Sequence, residues 1–417
     1  MKWPIYKIND ICKVSGGKRL PKGHQFVDSK TKHPYIRITD MSFDSLSTDG
    51  LLYITEETFK HISRYTISKD DIYISIAGTI GYVGKIPEFI DGANLTENCA
   101  KLSEFSDEIN RDYLLYYLRS PRGNGELLVR KGGASQPKLA LERIKTVPVP
   151  VPPINIQSRI ANILSAYDNL IENNQKQIKL LEEVAMRLYK EWFVKLRFPG
   201  YETTKIVDGV PEGWNRITVA EALQMYIGGG WGKESPAGKY VYKGRVIRGT
   251  DINNIKNGDF LSVPVRYHSE NDMKKRKLQS NDIVFEMSNG NIDNIGRCLF
   301  IDELVLSSCG DNTICASFCK LLRPKDLKTA IVLYHEINDM QLSGRMSSLK
   351  KNGANGINNF DFDGFLSHEF LLPDNNALTI YLHDIMLKIS NIQKQFLVLR
   401  SARDKLLPKL MSGEIEV

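Results

Sequence analysis

"YIRITDM" occupies residues 35–41 and "VIRGTDI" residues 246–252, so one short phrase is written twice in a chain of 417 residues. Its neighbours repeat with it. Trp3 in "WPIYKINDIC" is echoed by Trp214 in "WNRITVAEAL", Asp40 by Asp251, and Asp71 in "KDDIYISIAGTIG" by Asp282 in "SNDIVFEMSNGNIDNIG", each pair 211 residues apart. Later landmarks keep their order while the offset widens. "TENCAKL" (96–102) answers "DNTICASFCKLL" (311–322). "GGASQPKLALERIKTVPVPVPP" (132–153) answers "NGANGINNFDFDGFLSHEFLLP" (352–373), with Gly133 and Gly353, and Pro153 and Pro373, both 220 apart. A period of half the chain means duplicated domains, where a period of about 20–50 residues would mean a solenoid. Each copy mixes short β-rich runs broken by Gly and Asn with helical patches such as "INRDYLLYYLRS", which predicts a mixed α/β globule of about 150–170 residues.

A Pro-rich stop and a long helical pattern follow each copy. From Ile160 to Trp192 one apolar row runs Leu164, Ile171, Ile178, Ala185, Trp192 and a second runs Ile160, Tyr167, Asn174, Leu181, Leu188. That seven-residue period is a coiled-coil seam, with Asn174 its strongly polar member. Near the C-terminus the rows are Leu382, Ile389, Phe396, Arg403, Leu410 and Ile385, Ile392, Leu399, Leu406. "QKQ" stands at 175–177 and again at 393–395, and the same offset of 218 carries Leu164 to Leu382 and Leu181 to Leu399. Two such seams are expected to bury each other in an antiparallel coiled coil; the alternative is that each packs along its own globule. A helix of about 33 residues is roughly 50 Å long, which would span roughly 15 base pairs of DNA. The expected architecture is α/β of mixed α+β type: two tandem similar globules at residues 1–153 and 201–375, with long helices at 154–200 and 376–417.

Composition sets outer bounds. Hydrophobic content of 42% and charged content of 25% suit a soluble globular protein. No apolar run is long enough for a membrane helix and the start lacks a signal-peptide core, so the expected location is the cytoplasm. A net charge of +7 permits a nucleic-acid partner without demanding one. The six cysteines form no CxxC pair and are expected to be buried, reduced thiols rather than zinc ligands. The histidines, His24, His33, His61, His268, His335, His368 and His383, are dispersed, with no metal-ligand pair on a helix, so no metal is expected.

Catalytic signatures are missing: there is no GxxxxGK[ST] phosphate loop, no HExxH and no Asn-Pro-Pro-aromatic string. "YIGGGWGKE" (226–234) lacks the order of a dinucleotide loop and reads as a flexible surface loop. The expectation is a non-enzyme. Basic residues gather instead in loop-like places: "GGKRLPKG" (16–23), "RKGGASQPK" (130–138), "GGGWGKE" (228–234), "MKKRKLQ" (273–279) and "RMSSLKKNGANG" (345–356). Cations with amides and glycine suit DNA, since cations hold phosphates, amides read base edges and glycine admits the backbone. For any single loop a solvated charged surface is an equal alternative. Correspondence between the copies favours DNA, because equivalent loops with different letters suit two modules reading different bases. The candidate contacts are Lys18, Arg19, Lys22, Lys131, Gln136 and Lys138 in the first copy. In the second they are Lys233, Lys274, Lys275, Arg276, Lys350, Lys351 and Asn352. Asp40 and Asp251 are expected to be structural.

"RITD" and "RGTD", "AGTIG" before an apolar strand, "VPVPVPP" followed by "NIQSRIANILSAYDNLIENNQKQIKLLEE", and the ending "LRSARDKLLPKLMSGEIEV" strongly resemble the specificity subunit of type I restriction–modification systems. The resemblance covers essentially the whole chain. It implies two target recognition domains, each reading one half of an asymmetric, bipartite DNA site, joined by two conserved helices whose length sets the spacer. It implies two modification subunits as partners, which bind S-adenosylmethionine and methylate adenine. It also implies restriction subunits that use ATP and Mg, and no cofactor or catalysis in this chain itself. "NGANGINNF" in the second copy departs from "GGASQPKLA" in the first, which loosens the contact residues expected there. Other architectures stay open: a recognition subunit serving a different nuclease–methylase assembly, a coiled-coil scaffold with protein-binding heads, or an enzyme with a cryptic site.

Overall fold

Each echoed phrase closes on the same local clamp. The computed structural model describes residues 3–43, 46–48, 50–133, 137–353 and 356–417. In it the Asp40 carboxylate accepts from the Arg37 backbone N–H at 2.7 Å and from the Arg37 guanidinium Nη2 at 2.7 Å. Asp251 repeats the pattern with Arg248 at 2.9 and 2.7 Å. Asp40 and Asp251 are 6% and 0% exposed, and a bidentate arginine is what makes a carboxylate tolerable at such burial. Asp71 and Asp282 are a second matched pair. They accept from the backbone of Ser68 and Gln279, and each holds a cation from the same later strand, Lys101 at 3.2 Å and Arg323 at 2.7 Å.

The chain divides into two compact units, Met1–Leu170 with Leu399–Val417, and Ile171–Val398. The main sheet of unit 1 is built from β1 (Lys13–Gly16), β2 (Ile72–Ser75), β3 (Val83–Gly84) and β4 (Cys99–Ser103), in the order β1-β4-β2-β3. That of unit 2 is built from β5 (Leu223–Gly228), β6 (Ile283–Glu286), β7 (Cys298–Phe300) and β8 (Cys319–Pro324), in the order β5-β8-β6-β7. Both sheets are antiparallel and their strand orders are the same. A parallel pair repeats too, Pro34–Ile36 with Ala93–Leu95 and Tyr240–Ile247 with Ile314–Cys315. So does an outer antiparallel pair, Ile5–Lys7 with Pro148–Pro150 and Trp214–Thr218 with Glu369–Pro373.

Six helices matter below: α1 (Glu56–Ile62), α2 (Arg111–Arg119), α3 (Ile154–Tyr189), α4 (Glu270–Arg276), α5 (Leu327–Leu342) and α6 (Ala377–Ser412). The caps of the shorter ones are legible chemistry. Side chains of Thr55, Asn110, Ser269 and Asp326 accept from the backbone N–H three residues on, starting α1, α2, α4 and α5 respectively.

In unit 1 the start of α3 meets the end of α6. Ile160 and Leu164 share a core with Tyr113, Leu114, Leu407 and Leu410. In unit 2 the end of α3 meets the start of α6: Ala185 and Tyr189 share a core with Leu333, Phe365 and Leu382, and the Trp192 and Tyr381 rings lie 5.6 Å apart. In both units rising numbers on α3 meet falling numbers on α6, so the pairing is antiparallel. Leu164, Ile171, Leu382 and Phe396 are buried, and Ile178, Leu181, Leu188, Trp192, Ile389, Ile392, Leu399 and Leu406 are half-buried. The seam therefore faces the partner helix and the globule at once. The units part within α3 and α6, whereas the Pro-rich punctuation put sequence breaks at 153, 200 and 375. Trp214 packs on Phe193 and Phe198 beyond the end of α3, while Trp3 lies against Gly413 beyond the end of α6.

Candidate nucleic-acid interface

The first basic loop of each unit springs from a glycine that nothing else can replace. A Cβ on Gly17 would stand 2.1 Å from the Thr96 carbonyl oxygen and 2.3 Å from that of Leu95. On Gly229 it would stand 2.1 Å from the Ala316 oxygen and 2.3 Å from that of Cys315. The close approach is used for hydrogen bonding. Gly17 N–H donates to Cys99 O at 3.0 Å and Lys18 N–H to Leu95 O at 2.8 Å; Gly229 and Gly230 N–H donate to Cys319 and Cys315 O, both at 2.9 Å. The two loops leave identical frames with different side chains. "GGGWGKE" is thus anchored at its base rather than freely flexible, and Lys233 is held further on by backbone bonds to Tyr267 in both directions.

In unit 1 the fold brings the two sequence loops together. Gly17, Lys18, Arg19, Glu97, Lys138 and Leu139 line one concave surface. Gly132 and Lys138 exchange backbone hydrogen bonds at 2.9 and 2.8 Å. The Lys18 ammonium lies 5.7 Å from the Tyr65 ring, and Arg19, whose side chain is 76% exposed, reaches Glu97 at 3.5 Å. Lys22 and Lys131 are exposed but do not line this surface. Gln136 lies outside the described residues.

Unit 2 corrects part of the sequence reading. "MKKRK" was expected as a loop, yet Lys274, Lys275 and Arg276 form the last turn of α4. The cause is local: Ser269 and Asp272 make a capping box, and three cations in the last turn suit the helix dipole. Lys274 and Lys275 are exposed. Arg276 is committed to structure, bonding the Gly228 carbonyl at 2.9 Å and Asp272 at 2.8 Å. Lys350 and Lys351 lie on a short strand, paired with Asn358–Phe360, rather than in a loop. Lys351 pairs with Asp361 at 2.9 Å. Burial lowers the pKa of Lys350, whose ammonium sits 3.4 Å from the Asp293 carbonyl oxygen. Asn352 is exposed at the tip. That strand and the Gly132–Lys138 bridge of unit 1 are equivalent, since Ser288 pairs with Asn359 and Lys351 with Asn359 where Ala77 and Gly132 both pair with Lys138.

Sequence reasoning missed an aromatic–cation set in unit 2. The Arg266 guanidinium covers the Trp231 ring at 4.7 Å, and the Lys320 ammonium lies 4.4 Å from Phe362 and 5.9 Å from Tyr226. Trp231 and Tyr226 are 40% and 46% exposed. An aromatic inside a glycine-rich loop was the available signal; rings beside cations are the stacking chemistry that nucleic-acid bases accept.

Similarity to known proteins can be set beside this geometry. The family model for the type I restriction modification DNA specificity domain matches residues 1–183, which take in the first globule and most of α3. The MjaIX type I restriction enzyme specificity subunit of Methanocaldococcus jannaschii is 24% identical, over all of this chain and 94% of its own length. The putative MjaX specificity subunit of the same organism is 27% identical over 59% of this chain and 58% of its own. The crystal structure of the S subunit of a type I restriction–modification system from M. genitalium superposes with a TM-score of 0.54 at 15% identity, covering 98% of this chain and 96% of that one, and so shares the fold. With two units built on one frame, residues 1–183 carry the match to the type I restriction modification DNA specificity domain, and the second unit repeats the strand order of the first.

Proposed function

We propose that the chain is the DNA-sequence-specificity subunit of a type I restriction–modification complex. One observation carries the reading. Gly17 and Gly229 launch equivalent loops from the same strand geometry, but the loops bear different polar side chains. Two copies of one frame with different reading surfaces suit a target of two unlike halves. Residues 1–153 and 201–375 would then be the recognition domains, and 154–200 and 376–417 the spacer helices.

In this reading the chain performs no chemistry itself. Adenine methylation comes from two modification subunits carrying S-adenosylmethionine, and cleavage from restriction subunits that use ATP and Mg. The partners are double-stranded DNA and those subunits, in the cytoplasm. Among the described residues no helix is long and apolar enough to cross a membrane. Lys18, Arg19 and Lys138 share one surface and are the strongest phosphate candidates of the first domain.

The test is a methylome. The chain is co-expressed with the methyltransferase encoded beside it, and modified adenines are mapped by long-read sequencing. A split, asymmetric motif that depends on this chain is expected. An active methyltransferase that gains no motif from the chain would move the reading to a protein-binding scaffold. Lys18→Ala should weaken binding to all sequences and lower the salt slope of affinity by about one unit.

A further inference from the structure

The first unit holds a cluster that the DNA reading does not use. His24 lies on the loop that leaves Gly17, while Glu57 and His61 stand one turn apart on α1 and share a face of that helix. Folding closes the separation in sequence: one ligand atom from each of the three lies within 4.8 Å of the others. The His24 and His61 rings meet edge to face with centroids 5.1 Å apart.

We propose that His24, Glu57 and His61 bind a divalent transition-metal ion of the zinc type. Zinc takes imidazole nitrogen and carboxylate oxygen at about 2.0–2.2 Å in a tetrahedron, so its ligand atoms sit roughly 3.4 Å from each other. Glu57 and His61 are exposed, and small rotations of free side chains cover the remaining distance. His24 is the fixed member. Its Nδ1 is 2.8 Å from the Thr58 hydroxyl, which in turn lies 2.9 Å from the Thr55 hydroxyl, and Thr58 is 2% exposed. A second-sphere hydroxyl on one ring nitrogen orients the imidazole and leaves the other nitrogen for metal.

The donor set selects the ion. Two imidazoles with one carboxylate favour zinc, cobalt or nickel over magnesium and calcium, which prefer oxygen alone. Three protein ligands leave a fourth position for water. Metal would tie the loop bearing Lys18, Arg19 and Lys22 to α1, a fastening independent of whether that loop meets DNA. The second unit is an internal control. Aligning the helix caps Thr55 and Ser269 puts Asn271 and Lys275 where Glu57 and His61 stand. A lysine ammonium has no lone pair to offer and repels a cation.

The full-length chain, stripped with chelator, would be titrated with Co²⁺ and followed by visible d–d absorption. One equivalent per chain is expected, with no thiolate charge-transfer band and with displacement by Zn²⁺. His61→Ala and Glu57→Gln should each weaken binding by about tenfold or more, and His24→Ala should abolish it. His33→Ala should leave it unchanged. Both exposed sites can be altered without touching the core, and circular dichroism checks that the fold survives. Unchanged Co²⁺ binding in all three variants, a thiolate band, or failure of the parent chain to bind would each overturn the proposal.

Discussion

Where α3 meets α6, the two units solve the same packing problem with opposite chemistry. In unit 1 the Asp168 carboxylate accepts from Arg403 Nη1 at 2.7 Å, from Tyr116 Oη at 2.7 Å and from Arg119 Nη1 at 3.4 Å. Shifting by the 218 residues that relate the helices puts Ala185 and Met386 at the positions of Arg403 and Asp168. Aligning the caps Asn110 and Asp326 puts Val332 and His335 at the positions of Tyr116 and Arg119. Ala185, Met386 and His335 line a cavity of about 260 Å³, with Glu182, Lys256 and Tyr334 also on its walls. One joint is an ion cluster; at its counterpart the matching positions are Ala185, Met386, Val332 and His335, beside a cavity that also has Glu182 and Lys256 on its walls. Unit 2 keeps a polar network elsewhere on α5, where Glu336 accepts from Tyr189, Arg345 and His368 at 2.6, 2.9 and 2.8 Å. The frame constrains backbone approach tightly and leaves the helix joint free to vary.

The sharpest test of the shared frame is the glycine pair. Gly17→Ala and Gly229→Ala each drive a methyl group into a backbone carbonyl oxygen at 2.1 Å. Each should cost about 4 kcal/mol, above ordinary overpacking because backbone rather than a side chain must move. Amide exchange resolved by unit reads the loss, which should fall on unit 1 for the first variant and on unit 2 for the second. If one glycine tolerates alanine, the two frames are not equivalent.

Next in size is the ion cluster. Arg403 is 8% exposed, and Arg403→Met leaves Asp168 with Arg119 and Tyr116 but without its shortest cation contact. Removing one partner of a buried pair costs about 3–5 kcal/mol, and Asp168, a quarter exposed, places this case near about 3 kcal/mol. The triple variant Asp168→Met, Arg119→His and Arg403→Ala writes the unit 2 residues into unit 1. It should cost less than Arg403→Met alone, because neither a carboxylate nor the Arg119 guanidinium is left short of its ion partner. A triple variant worse than the single one would mean that unit 1 cannot accept the unit 2 joint.

How much of this was readable from the letters differs from feature to feature. The duplication was readable because Trp3, Asp40 and Asp71 hold rigid places in the frame, so insertion between them is resisted and the 211-residue offset survives. The seam was readable because helical periodicity is local. Arg403 sat in a seam row without betraying its role, because its partner Asp168 lies 235 residues away and in neither row. The "MKKRK" helix is masked by its basic composition, although Ser269 and Asp272 just before it spell a helix-starting capping box. The His24 cluster was invisible for a third reason: His24 and Glu57 are joined only by the way the loop after β1 folds back on α1. Loop tips carried the least information, since nothing periodic or packed constrains Lys22, Lys131 or Asn352.

Acid should separate the units by their α2 and α5 positions. Burial holds His335 down to about 4, against an ordinary value near 6.5, in spite of its Nδ1 contact with the Ile331 carbonyl at 2.8 Å. The unfolded chain therefore binds a proton that the folded chain refuses between those values. Stability from the neutral ring is complete above about pH 6.5 and is lost as pH falls toward about 4. Between about pH 7.5 and pH 5 unit 2 should lose about 2 kcal/mol from this residue. The counterpart position in unit 1 carries Arg119 in place of a histidine. In unit-resolved exchange at the two pH values, His335→Gln should remove most of the extra acid sensitivity of unit 2. Equal acid sensitivity with and without the histidine would assign the effect to other groups.

The smallest expected effect bears on the cavity itself. Ala185 is 3% exposed and occupies the seam position that Arg403 fills in unit 1. Ala185→Leu extends apolar carbon toward Met386 and His335 on the cavity wall. Three added carbons bury roughly 2 kcal/mol of transfer free energy, offset by side-chain entropy and a slightly lower helix propensity, for a net gain of about 1 kcal/mol. Arg403→Leu, the same residue at the matching place in unit 1, should instead destabilise, because it strips a cation from Asp168. Opposite signs for one side chain at two equivalent positions would show that the joints differ in chemistry rather than in backbone. If Ala185→Leu also destabilises, the walls around Ala185 cannot yield, and the joint of unit 2 is as tightly specified as the ionic joint of unit 1.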